Sequence, residues 1–287
     1  MLNILARAAC YIAIILMGYI LRRKGFFGEE TFGVLSKIVI KITLPAAIIA
    51  SSAGKPIDAS MLAISALGFG GGVIYMIAGW LSNRKADTDT KAFAVLNVPG
   101  YNMGVITTSL FDMGNAFICL GGSFGVARAM KEGGKVNLLR ILTAPAHSIP
   151  FLAHILMVSL NLLGLNLPGP AVELAGIIGN ANAFLAMLMI GVGFKLSGEK
   201  SQIGSIVKIL SIRYAIAAVL ALCFYFVLPF GLEIRQALVI LAFSPIGSAV
   251  PVFTAELKGD VGLSSAINSI AIVISIVIIV ILLLVML

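Results

Sequence analysis

The sequence predicts an all-α polytopic membrane protein, with about ten transmembrane helices arranged as two inverted five-helix repeats. Of the 287 residues, 60% are hydrophobic and only 11% are charged, whereas a soluble domain is nearer a quarter charged. Many apolar runs approach the roughly 20 residues that a helix needs to cross a bilayer. Lysine and arginine are concentrated in alternate connections between these runs.

The first repeat is expected to occupy residues 1–130. Its first three spans, and the segment that holds the fourth and fifth, are Leu5–Leu21, Phe32–Ala50, Leu62–Leu81 and Ala92–Ala129. Leu44-Pro45 predicts a break in the second span, because proline removes a backbone donor. Roughly 36 residues separate the basic residues that flank the last segment, or roughly 54 Å of helix. Two full crossings need roughly 60 Å, so at least one of these helices is expected to be short.

The second repeat is expected to occupy residues 131–287. Its spans are Ser148–Leu163, Ala171–Leu196, Leu210–Leu228, Gln236–Phe253 and Leu263–Leu287. The seventh span is interrupted by polar residues around Gly179–Asn182. Arg213 lies near the start of the eighth span, and it is expected to snorkel to the cytoplasmic face.

The charge of the connections sets the orientation. Connections after the first, third, fifth and seventh spans carry most of the basic residues, and the others carry only Lys55 and Arg235. Basic connections stay in the cytoplasm, so both termini are expected on the outer side of the cell (inner) membrane. An odd number of spans in each repeat then makes the two repeats inverted. The net charge of +8 is explained in this way, with no nucleic acid as a partner.

Two stretches of helix-breaking residues lie inside apolar runs, in the fourth and ninth spans. They are Asn97–Gly104 and Ser244–Pro251. Interrupted spans at corresponding positions of two halves indicate a transporter's binding site. The alternative is that the prolines and glycines only kink helices for packing. The candidate substrate-binding residues in these stretches are Asn97, Pro99, Tyr101, Asn102, Pro245, Ser248 and Pro251.

Other polar residues in or near the spans have two interpretations each. Lys41 lies one turn beyond Lys37 and is the better candidate to attract an anion, whereas Lys37 is expected to snorkel. Asn182 is a substrate ligand or a cap for a half-helix. Asp112 is a solvated turn residue or an ion carrier, and His154 is a packing residue or a proton relay.

Five motifs, in this order, carry a resemblance that covers nearly the whole chain. They are Gly18–Gly25, Leu35–Lys37 leading to Leu44–Ala46, Asn97–Gly104, Asn180–Gly193 and Ser244–Pro251. Together they resemble the auxin efflux carrier family, in the bacterial branch related to plant auxin exporters. One departure is that Gly104 runs directly into Val105–Thr108, where the family continues with a further apolar stretch that contains a proline. This departure coincides with the short segment noted above and suggests a deletion.

The resemblance implies that helices 4 and 9 are unwound and cross near the membrane midplane, where substrate binds. It implies a small organic anion, often a mono- or dicarboxylate, moved by an elevator-like motion against a scaffold of spans 1, 2, 6 and 7. It also makes a homodimer plausible.

We therefore expect a secondary active transporter for small organic anions. No acidic pair lies deep in the spans, which favours proton-coupled or uncoupled transport over sodium symport. The alternatives are a sodium-coupled carrier of the bile-acid type, a passive anion channel, and a transport-defective shortened form. No nucleotide-binding loop, metal-ligand spacing or catalytic set is recognisable, so neither a cofactor nor an enzyme activity is predicted.

Overall fold

A computed structural model of the chain describes residues 2–28, 30–54, 59–99, 111, 114–115, 117–132, 149–194, 200–247 and 249–286. All regular structure in these residues is helical. Five of the described helices are long and apolar enough to cross a membrane: Thr31–Ser52, Ala63–Ser82, Gly169–Gly193, Ser201–Phe226 and Val261–Met286. The prediction of an all-α polytopic membrane protein is confirmed at this level.

The first half contains six α-helices among its described residues. They are α1 (Leu2–Arg23), α2 (Thr31–Ile38), α3 (Leu44–Ser52), α4 (Ala59–Ser82), α5 (Thr88–Asn97) and α6 (Ser123–Lys131). Five residues of π-helix, Val39–Thr43, join α2 to α3, so the expected break at Leu44-Pro45 is wrong. Pro45 lies in the first turn of α3, directly after this wider turn, where its missing N–H group is tolerated.

The second half contains seven described helices. They are α7 (Ile149–Leu162), α8 (Gly169–Asn180), α9 (Asn182–Gly193), α10 (Lys200–Phe226), α11 (Leu232–Ala242), α12 (Ala249–Glu256) and α13 (Val261–Met286). The interruption predicted in the seventh span is the single turn residue Ala181. The ninth span is broken between α11 and α12, where Phe243–Gly247 is not helical.

The helices pack in two groups. In the first group, α1 packs against α9, and α3 packs against α7 and α8. The contact of α1 with α9 is made by backbone: a Cβ atom on Gly18 would lie 2.6 Å from the carbonyl oxygen of Leu188, and one on Gly191 would lie 2.1 Å from that of Ile15. Small residues allow helices to approach this closely in a membrane.

The second group contains the helices on either side of the two breaks. In it, α5 packs against α4 and α6, α10 packs against α4, α11 and α13, and α12 packs against α13 and α5. Gly79 of α4 brings its helix against α5, because a Cβ atom there would lie 2.7 Å from the carbonyl oxygen of Ala94. The main contact between the two groups is made by α9 with α13.

Asp87 caps the N-terminus of α5. Its carboxylate accepts hydrogen bonds from the backbone N–H of Thr90 at 2.9 Å and from the Thr90 hydroxyl at 2.6 Å. These two hydrogen bonds hold the pKa of the Asp87 carboxyl below its ordinary value of 3.8, and the bond from the hydroxyl has the larger effect. The ionised form is therefore favoured by folding. The stabilisation it gives is fully present above the pKa of the unfolded chain and is lost as the pH falls through the pKa of the folded protein.

We expect the Asp87→Asn variant to lose less thermal stability than the wild type between pH 6 and pH 3, because its amide cap does not titrate. Melting curves of the purified proteins in detergent at each pH would measure this. The Asp87→Ala variant, which has no cap, should be the less stable of the two variants at both pH values. Parallel losses in the wild type and Asp87→Asn would show that this carboxylate does not contribute.

Candidate functional site

The first break follows α5. The helix ends at Asn97, and Pro99 cannot donate the hydrogen bond that would continue it. Asn97, Val98 and Pro99 are all buried. A helix that ends inside a protein leaves carbonyl groups without helical partners, and these need others. At this break the carbonyl group of Val98 accepts a hydrogen bond from a side chain of α10.

The second break separates α11 from α12. The carbonyl of Ser244 bonds to a side chain of α10, and Asn268 of α13 donates its Nδ2 hydrogens to the carbonyls of Ile246, at 3.1 Å, and Gly247, at 2.9 Å. Pro251 lies in the first turn of α12, where a missing N–H group is tolerated. The unwound backbone is thus satisfied by side chains, as a membrane core requires.

Arg213 joins the two breaks. Its Nη1 donates to the carbonyl of Val98 at 2.9 Å, and its Nη2 donates to the carbonyl of Ser244. The guanidinium group also stacks on Tyr75 of α4, 5.3 Å from the ring centroid, and the Tyr75 hydroxyl donates to the carbonyl of Ala242 at 3.2 Å. We call the region formed by Arg213 and the two breaks the junction.

The expectation that Arg213 snorkels to the cytoplasmic face is wrong, because the residue is only 2% exposed. It is midway along α10, which begins at Lys200. Thirteen residues of helix put it roughly 20 Å from that end, beyond the reach of a snorkelling side chain. No described Asp or Glu lies within ion-pair distance of it.

Asn97 belongs to a second set of contacts at the junction. Its Oδ1 accepts a hydrogen bond of 2.6 Å from Ser264 of α13. Its Nδ2 donates to the carbonyl of Phe93 at 3.0 Å and, at 3.4 Å, to the Thr254 hydroxyl of α12. Asn97 is fully buried, and these bonds join α5, α12 and α13.

Some polar atoms near the junction have no hydrogen-bond partner among the described residues. At the junction, these buried atoms are Nε of Arg213 and Oδ1 of Asn268. A buried polar atom without a partner destabilises a protein by about 1–3 kcal/mol, so each such atom needs an explanation. The junction therefore has a charged donor and a neutral acceptor that no described residue satisfies.

Four of the predicted substrate-binding residues lie at the two breaks: Asn97, Pro99, Pro245 and Pro251. Tyr101, Asn102 and Ser248, and also Asp112, lie outside the described residues.

The remaining predicted residues lie away from the junction. Lys41 is exposed and, with Lys37 and Glu256, lines a cavity of about 240 Å³ between α2 and α12. The Thr43 hydroxyl donates to Oδ1 of Asn182 at 2.9 Å, in the contact between the π-helical turn and α9. His154 is buried in α7.

The sequence interpretation did not single out Arg213 as a site residue, nor Tyr75 and Asn268. The signal that could have identified Arg213 is the length of its helix. Polar residues extend the helix ten residues before Leu210, so Arg213 lies well inside it. The partners of Asn268 lie 21 and 22 residues away, in the non-helical stretch between α11 and α12, and no local pattern predicts such a pairing.

The comparisons with known proteins give a family match over part of the chain. Residues 5–112 match the family model described as "Membrane transport protein". This is the auxin-efflux-carrier type of membrane transport, so the resemblance inferred from the motifs is confirmed over that segment. None of the curated proteins compared with the chain matches it.

Proposed function

We propose that this multi-pass membrane protein, whose residues 5–112 match the membrane transport protein family, is a secondary active carrier of small organic anions such as carboxylates. Arg213 carries the proposal. A buried cation is expensive unless groups of opposite charge surround it, and the described part of the chain offers Arg213 only carbonyl oxygens and the face of Tyr75. Its unpartnered Nε–H group suits an anionic ligand.

The end of α12 supports the same ligand class. This helix begins at Ala249, directly after the second break, and the N-terminal end of a helix carries about half a positive charge. Backbone N–H groups at such an end bind anions readily. A carboxylate at the junction would therefore be close to two sources of positive potential, Arg213 and the first turn of α12.

The pairing of helices supports ten spans in two inverted repeats, with residues 1–130 and 131–287 as the halves. If spans 1–5 are matched to spans 6–10, α1 corresponds to α7 and α9 corresponds to α3. The contact of α1 with α9 then has its counterpart in the contact of α7 with α3, and both occur. The same matching relates α4–α5 to α10–α11, and α5–α6 to α11–α13, and all four pairs are in contact. Repeats of this kind commonly place the substrate at their interface near the midplane.

The two packing groups suggest how transport occurs. The group of α1–α3 and α7–α9 corresponds to the scaffold of spans 1, 2, 6 and 7, and the group with the junction corresponds to the moving part. In this proposal the second group carries the anion across the cell membrane, with both termini on the outer side, and protons are the candidate coupling ion. Dimerisation through the scaffold would leave the second group free to move.

The first test is the thermal stability of the purified protein with a panel of small carboxylates, at pH 5.5 and 7.5, with and without sodium. A ligand that binds the folded state at a hundredfold excess over its Kd stabilises it by about 2.7 kcal/mol. We expect one carboxylate class to raise the melting temperature. A panel without any effect would contradict the proposed site.

Lys41 and Lys37 provide a matched pair of variants for the same assay. Both line the cavity beside α12, and we expect Lys41→Gln to weaken carboxylate affinity more than Lys37→Gln, because Lys41 lies one turn deeper in the span. Equal effects would remove the special role of Lys41. Currents that do not saturate with anion concentration would instead identify a passive channel.

A further inference from the structure

The broken helices bring two negative ends together at the junction. The carbonyl groups at the C-terminal end of a helix carry about half a negative charge. Val98 lies directly after the last residue of α5, and Ser244 lies two residues after the last residue of α11. The two ends together present roughly one negative charge, and Arg213 donates a hydrogen bond to each of them.

Carriers with broken helices commonly use the C-terminal ends of their half-helices to bind the coupling ion. Unwound carbonyls and the C-terminal ends of half-helices coordinate the coupling sodium ion or proton, while N-terminal ends face the anionic substrate. Here the guanidinium group of Arg213 occupies the position between the two ends. An arginine remains protonated at any physiological pH, and it cannot dissociate as sodium does.

We propose that Arg213 is a built-in counter-cation that takes the place of a coupling sodium ion at the junction. This inference rests on the proposed function, because it assigns the ion coupling of the same site. A fixed cation keeps the two helix ends neutralised through the whole transport cycle. Transport then requires no sodium, and substrate binding depends on a charge that is already present.

Arg213 differs from Arg235, a half-buried arginine near the start of α11 that also stacks on an aromatic ring. Arg235 lies over the ring of Tyr225, 5.8 Å from its centroid, and its Nη1 donates to the carbonyl of Tyr225 at 2.9 Å. Its Nε is also buried and has no partner among the described residues. The described hydrogen bonds of Arg235 do not join two broken helices, so it is a control for the loss of a guanidinium group that stacks on a tyrosine and bonds to a backbone carbonyl.

The experiment uses the full-length protein, without carboxylate, and follows its melting temperature in sodium, potassium or choline chloride at equal ionic strength. The wild type should melt at the same temperature in all three salts. The Arg213→Ala variant should be less stable in choline and should gain about 3 °C or more, saturably, with sodium or with millimolar guanidinium. The Arg235→Ala variant should lose stability without a saturable response to either cation.

Two results would overturn the inference. One is a saturable stabilisation of the wild type by sodium, and the other is a cation response of Arg213→Ala that equals that of Arg235→Ala. If Arg213→Ala does not fold, Arg213→Lys keeps the charge and should fold without a sodium response; a saturable response of this variant would also overturn the inference. Since no carboxylate is present, these outcomes are independent of the test of anion binding.

Discussion

The Gly191→Ala variant is expected to be about 1–3 kcal/mol less stable than the wild type. The new Cβ atom would lie 2.1 Å from the carbonyl oxygen of Ile15 and 2.9 Å from its carbonyl carbon. Both atoms belong to the backbone of α1, so no side-chain rotation can relieve the clash. The helices must separate, and the contact that holds α1 in the first group is weakened.

Gly176 provides the control, because it is also helical and a Cβ atom there would meet nothing within 4 Å. Alanine is a better helix former than glycine by about 1 kcal/mol, so Gly176→Ala should melt at or above the wild-type temperature. Thermal or denaturant unfolding in the same detergent would compare the two variants. Equal melting temperatures would contradict the close approach of α1 and α9.

The Asn97→Ala variant is expected to lose about 1–3 kcal/mol of stability, because the buried hydroxyl of Ser264 loses its acceptor. A double-mutant cycle with Ser264→Ala tests this contact. The two losses should be less than additive, with an interaction energy of about 0.5–3 kcal/mol. Ser269→Ala is the matched control on α13, since the Ser269 hydroxyl donates to the carbonyl of Ser265 instead. Additive losses in the Asn97–Ser264 cycle would contradict the assigned hydrogen bond.

The sequence predicts those features that depend on local chemistry. Both breaks were predicted because proline and glycine interrupt apolar runs, and both lie within the predicted stretches. Spacing also accounts for two glycines of α4: Gly68 and Gly72, one turn apart, face Phe111 and Asn115 at distances that only a missing Cβ allows.

Features that depend on distant pairing were not predictable in this way. Asn97 bonds to Thr254 and Ser264, which follow it by 157 and 167 residues, and its predicted contact with a ligand stays a prediction. Nothing in the local sequence of an asparagine distinguishes a ligand contact from such a bond. The burial of Arg213 was not predicted because the polar residues at the start of α10 do not look like part of a membrane span, so the helix begins earlier than its apolar run indicates.

Under the proposed function, the hydrogen bonds at the junction limit where the protein is able to open during transport. Arg213 ties the ends of α5 and α11 together, and Asn97 fastens α5 to α12 and α13. Separating these helices would break all of these hydrogen bonds at once. Under the proposed function, the movement is therefore expected at the contact between α9 and α13, which we call the seam. Gly193 lies in that seam, where a Cβ atom would come within 2.5 Å of the Ser265 hydroxyl oxygen. Two helices slide past each other only if no side chain protrudes between them, so even a methyl group at position 193 is expected to hinder this movement.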